Sequence, residues 1–132
     1  MNKINNLILV FVFLFTIILT SCEWEQLEKP VVIIDDTPIS FATDVIPIFD
    51  ASCNMSGCHN AGAIPPDLSA GGAYLNLTSL GYIEADTANA AQSKLWKRMN
   101  DGTMPPPAYG GLLADTVRYK VLNWIKQGAL NN

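Results

Sequence analysis

Residues Cys53–Asn60 read CNMSGCHN, two cysteines bracketing four residues with the chain's only histidine, His59, directly behind the second. Thiol, thiol and imidazole in that order suit three chemistries. The run Cys-x-x-Cys-His is the signature for covalent attachment of a c-type haem. Two thioethers fix the porphyrin, and a histidine directly after the second cysteine is placed to turn its imidazole beneath the iron. Two cysteines at this spacing can instead close a structural disulfide and leave the histidine a bystander. Zinc is the weakest of the three, because Cys53, Cys58 and His59 supply three ligands where a structural site takes four.

The spacing here is Cys-x4-Cys-His, a departure from the haem signature. On a regular helix, residues three apart point roughly 60° from one another, whereas residues five apart diverge by about 140°. The segment therefore has to leave the helix through Asn54-Met55-Ser56-Gly57. Gly57, free to take positive φ, is suited to absorb that bulge.

The amino terminus sets the compartment in which these thiols work. Met1–Asn6 carries one charge, Lys3, and Leu7–Leu19 is a run of thirteen residues, apolar but for Thr16. That length matches a signal-peptide core and falls short of the roughly 20 residues of a spanning helix. Leu19-Thr20-Ser21-Cys22 follows and resembles the lipobox of bacterial lipoproteins. The resemblance implies a lipidated Cys22, cleavage before it and a mature chain attached to the cell envelope, facing the periplasm or on the outer membrane. An uncleaved anchor is the alternative, and it too leaves the rest outside the cytoplasm. Loss of residues 1–21 leaves seven basic against twelve acidic residues, net −5, a balance that argues against nucleic acid as a partner.

Three segments follow: a leader over 1–21, a tether over 22–39 in which acids and Pro30 and Pro38 flank Val31–Ile34, and one small domain over 40–132. Val31–Ile34 also suits a strand. In the domain, Val45, Ile46, Ile48 and Phe49 recur at helical spacing behind Ser40 and Thr43. Pro47 belongs in a first turn, which favours Thr43 as the cap. A short helix is expected around Tyr74, Leu75 and Leu77, another over Ser93–Met99 ending at Asn100-Asp101-Gly102. The last, Asp115–Gln127, carries Val117, Val121, Trp124 and Ile125 on one face, with Gly128 as its C′ residue. The fold class is all-α: about four short helices with long Gly/Pro loops. So little core for about 90 residues calls for a staple, a role a prosthetic group can fill.

Three further stretches, read with CNMSGCHN, resemble class I cytochromes c. Pro65-Pro66-Asp67-Leu68 is similar to the proline loop that follows the histidine in that family. By that resemblance the Pro66 carbonyl accepts a hydrogen bond from His59 Nδ1 and Leu68 walls the haem pocket. Gly102-Thr103-Met104-Pro105-Pro106-Pro107 resembles the loop that carries the sixth ligand, which implies Met104 on the iron. A thioether is neutral and soft and raises the potential relative to a second histidine. Met55 lies inside the attachment loop, and Met99 reads as core. Trp124-Ile125-Lys126-Gln127-Gly128-Ala129 is similar to the family's last helix. The resemblance spans about Ser40–Ala129 and implies a cytochrome c-like bundle around one haem c, bound through Cys53 and Cys58, with His59 and Met104 on the metal.

The function so implied is a non-enzymatic, lipid-tethered mono-haem carrier of single electrons. Its partners would be redox proteins, or the rest of a larger respiratory or oxidoreductase complex. Lys94, Lys97 and Arg98 form the one basic cluster, suited to a solvated helix face, to haem propionates or to docking. A disulfide-bonded lipoprotein with a binding or structural role and no haem is the alternative.

Overall fold

The first helix starts where four backbone N–H groups find oxygen. The computed structural model describes residues 37–84 and 86–132, and these are helical with no strand. A π-helical turn, Phe41–Val45, runs directly into α1, Ile46–Ser52; α2 is Ala73–Ser79, α3 Lys94–Asn100 and α4 Asp115–Lys126. Short 3-10 segments occupy Thr87–Gln92 and Pro107–Tyr109. The leader, Cys22 and the Val31–Ile34 run lie outside the described residues. Among the described residues, no helix is long and apolar enough to cross a membrane.

Ser40, not Thr43, caps the first helix. The Ser40 hydroxyl accepts from Thr43 N at 3.2 Å, its carbonyl accepts from Asp44 N at 3.0 Å, and Asp44 Oδ2 accepts from Ser40 N in return. Asn132 serves the two remaining donors, its side-chain oxygen taking Phe41 N at 2.8 Å and its main-chain oxygen Ala42 N at 2.9 Å. All four orphan N–H groups of the helix start are thus matched. Pro47 does sit in the first turn of α1, but the wide turn at Phe41–Val45 adds helical residues ahead of it and moves the cap upstream. The chain is fastened from Thr37 onward: Gln127 donates to Thr37 O at 3.1 Å and accepts from Ile39 N at 2.8 Å. The held region therefore extends above the expected edge at Ser40.

Phe41 joins three helices. Its ring stacks on Trp124 of α4 at 4.9 Å and meets Tyr74 of α2 and Phe49 of α1 edge-on at 5.5 and 6.5 Å. Val45 and Phe49, one and two turns on, are fully buried with Leu77, Val121 and Trp124. Each side chain of this size contributes roughly 1.5–3 kcal/mol by leaving water. Trp124 also donates Nε1–H to Leu130 O at 2.9 Å, so the buried indole leaves no polar group unpaired.

The remaining helices close the domain. Met99 and Trp96 are buried on α3, and Trp96 meets Tyr119 of α4 edge-on at 5.1 Å. Arg118, buried at the start of α4, donates Nε–H to Leu113 O at 2.9 Å and its other nitrogens to Asn100 and Asp115. One guanidinium thereby fixes the end of α3, the loop after it and the first turn of α4. Gly128 takes φ of +96°, and Ala129 N returns to Trp124 O at 2.9 Å, which ends α4 with its last carbonyls engaged.

Candidate functional site

The end of α1 presents the first thiol. Ser52 is its last residue, and Cys53, with φ of −127° and ψ of −40°, has left the helical track. The departure read from the five-residue spacing falls at Asn54–Gly57. Cys58 N donates to Met55 O at 2.9 Å, His59 N donates to Cys53 O at 3.2 Å, and Gly57 takes φ of +79°. The first and last residues of the loop are thus joined through their main chains. Asn54 Nδ2 donates to Asp50 Oδ1 at 2.9 Å, and Asn60 Oδ1 accepts from Gly57 N at 3.0 Å, so both flanks of the loop are tied.

Cys53 and Cys58 are free thiols, each half-buried. Burial, with the neighbouring Cys58 adding to it, pushes the Cys53 thiol up to about 11. Among the described residues, no three of His, Cys, Asp and Glu gather as a metal-holding group.

His59 is oriented through one ring nitrogen. Nδ1 lies 3.0 Å from Ile64 O and 3.1 Å from Pro66 O. Carbonyls only accept, so Nδ1 is the donor, and in the neutral ring this tautomer leaves the lone pair on Nε2. Among the described residues Nε2 has no hydrogen-bond partner. The loop that supplies both carbonyls is itself clamped: Ile64 N donates to Cys58 O at 3.0 Å and Leu68 N to His59 O at 2.7 Å. Pro66 and Leu68 are buried, Leu68 as part of the hydrophobic core, whereas Ile64 is 60% exposed. Ile64 O has no signature in the sequence, since any residue offers a carbonyl and only the path of the chain aims it.

Met104 stands on a separate loop after α3, 40% exposed. Among the described residues, no hydrogen bond links that loop to the His59 segment. Its base is fixed by Met104 N donating to Arg98 O at 2.9 Å and by Thr103, whose N and Oγ1 both donate to Asp101 Oδ1. Gly102 supplies the positive φ, +73°, that turns the chain out of α3. Lys94, Lys97 and Arg98 are exposed on the outer side of α3, with Lys94 Nζ 5.8 Å from the centre of the Tyr82 ring.

The structure thus brings Cys53, Cys58, His59, Pro66 and Leu68 into one hydrogen-bonded unit, with Met104 on a different, anchored loop. Two free thiols on one closed loop and an imidazole held through Nδ1, with Nε2 unengaged among the described residues, are donors that a haem c would fit. Compared with protein-family models, curated proteins and solved structures, the chain finds no match in any of the three.

Proposed function

We propose that this chain is a mono-haem c-type cytochrome, tethered through a lipidated Cys22, that passes single electrons between redox partners at the cell envelope. The observation that carries the reading is His59 behind Cys58, its Nδ1 held by two carbonyls and its Nε2 free. A bystander histidine beside a disulfide has no need of that orientation.

In this reading Cys53 and Cys58 would hold the haem covalently, and His59 and Met104 would bind its iron. The cofactor supplies reversible one-electron chemistry. The protein's part is to hold His59 through Nδ1, with the Pro66 carbonyl orienting it, and to wall the pocket with Leu68. The partner is a redox protein, or another subunit of a larger oxidoreductase complex.

The decisive experiment is expression with the haem-attachment machinery, followed by haem staining of a denaturing gel. A stained band that disappears in Cys53→Ala/Cys58→Ala is expected. An unstained full-length band defeats the proposal and leaves a haem-free lipoprotein.

A further inference from the structure

The peptide between Pro66 and Asp67 is gripped at both ends. Its carbonyl faces His59 Nδ1 at 3.1 Å, and its N–H, on Asp67, donates to Asn76 Oδ1 at 3.2 Å. A peptide unit is planar and stiff, so a partner that fixes the N–H also fixes the direction of the carbonyl.

Asn76 is itself immobilised. It sits in the middle of α2, and its Nδ2 donates to Gly72 O one turn back at 3.0 Å. That bond sets which way the amide points, because a flipped amide would face the Asp67 N–H with its own donors. The Asp67 side chain closes the arrangement, Oδ1 accepting from Ser69 N at 2.8 Å. Glycine at 72 makes the close approach possible, since a Cβ there would lie 2.3 Å from Asp67 Oδ2.

We propose that Asn76 is a positioning residue for the iron-binding imidazole, acting on His59 through the Pro66–Asp67 peptide; this rests on the haem reading above. The effect has two parts. Geometrically, Asn76 aims the Pro66 carbonyl at Nδ1. Electronically, a peptide whose N–H is engaged is polarised, so its carbonyl accepts more strongly. A stronger acceptor at Nδ1 makes Nε2 a more basic ligand, which favours ferric iron and lowers the potential.

The test uses the haem-loaded protein and the variant Asn76→Leu, similar in size but without an acceptor. Exchange of the Asp67 amide should speed up about tenfold, a hydrogen bond's worth of protection. The His59 Nδ1 proton resonance in the reduced state should move upfield, and the potential should rise. Asn76→Asp keeps an oxygen facing the Asp67 N–H and should retain the amide protection and the Nδ1 resonance. Thr78→Ala, on the same helix but bonded only to the Tyr74 and Leu75 carbonyls, should leave all three readouts alone. An Nδ1 resonance and potential in Asn76→Leu equal to wild type overturn the inference. So does an Asn76→Asp protein that loses the wild-type amide protection and Nδ1 resonance position, a result that can be read even where the leucine variant is too unstable to load. Should the matured wild type carry no covalent haem, the cytochrome reading fails, and the Asp67 amide exchange and the His59 Nδ1 resonance are read on that chain. Their change in Asn76→Leu then supports the positioning role, and their constancy overturns it.

Discussion

Cys53 and Met104 are single residues whose environments make separate demands. Cys53 is held as a neutral thiol by burial and by Cys58 beside it. In haem-free protein, its alkylation by iodoacetamide should therefore climb steadily with pH and reach half its maximum only near pH 11. A plateau already reached by pH 9, followed by mass spectrometry of the modified peptide, would contradict that environment. In haem-loaded protein neither Cys53 nor Cys58 should be alkylated at any pH. Met104 bears on the sixth ligand. A soft thioether favours ferrous iron, so Met104→Ala should change the visible spectrum and lower the potential. An unaltered spectrum and potential would remove Met104 from the iron.

The first helix is the element most dependent on side-chain caps. Ser40 and Asn132 between them satisfy the amides of Phe41, Ala42, Thr43 and Asp44, and the helix carries Phe41, which touches α1, α2 and α4. Ser40→Ala should cost about 1 kcal/mol in denaturant unfolding, the usual loss for a removed N-cap. Thr43→Ala should cost less, because its side chain caps nothing. A larger loss in Thr43→Ala than in Ser40→Ala would make Thr43 the cap instead. On α4, Arg118→Met retains the aliphatic stem and removes three hydrogen bonds. It leaves Leu113 O and Asn100 without their donor, and should destabilise the domain by about 2 kcal/mol.

At the scale of the whole molecule, stability should be lost in acid. Asp44, Asp67 and Asp101 are all held below the ordinary carboxylate value, by donors on Ser40, Ser69 and Thr103 respectively. A carboxylate with a lowered value in the folded state binds its proton more readily once unfolded. The stabilisation is thus complete above the ordinary value of 3.8 and drains away as pH falls through the lowered folded values. Urea midpoints measured between pH 2 and 7 should stay level down to roughly pH 5 and then decline. Asp44→Asn should flatten part of that decline, and an identical pH profile would assign the acid sensitivity elsewhere.

The helices and their faces were legible in the sequence because periodicity records burial. Val45, Phe49, Val121, Trp124 and Met99 are all core, as their spacing says. Gly81, Gly102 and Gly128 take a positive φ just after α2, α3 and α4, and Gly57 takes one inside the Cys53–Cys58 loop, because glycine does so without strain. What the sequence hid is every contact in which a common group is made special by where the chain brings it. The Ile64 carbonyl on His59, the Asn132 oxygens on Phe41 and Ala42, the Arg118 clamp and the Asn76 grip on Asp67 are of this kind. The π turn that moved the cap from Thr43 to Ser40 belongs with them. The sequence by itself determined that two thiols and one imidazole share a short loop, since covalent order guarantees it. Tertiary structure alone decided which imidazole nitrogen is spent and which is free. The carbonyls that settle the tautomer lie five and seven residues from His59, and a folded loop is needed to aim them.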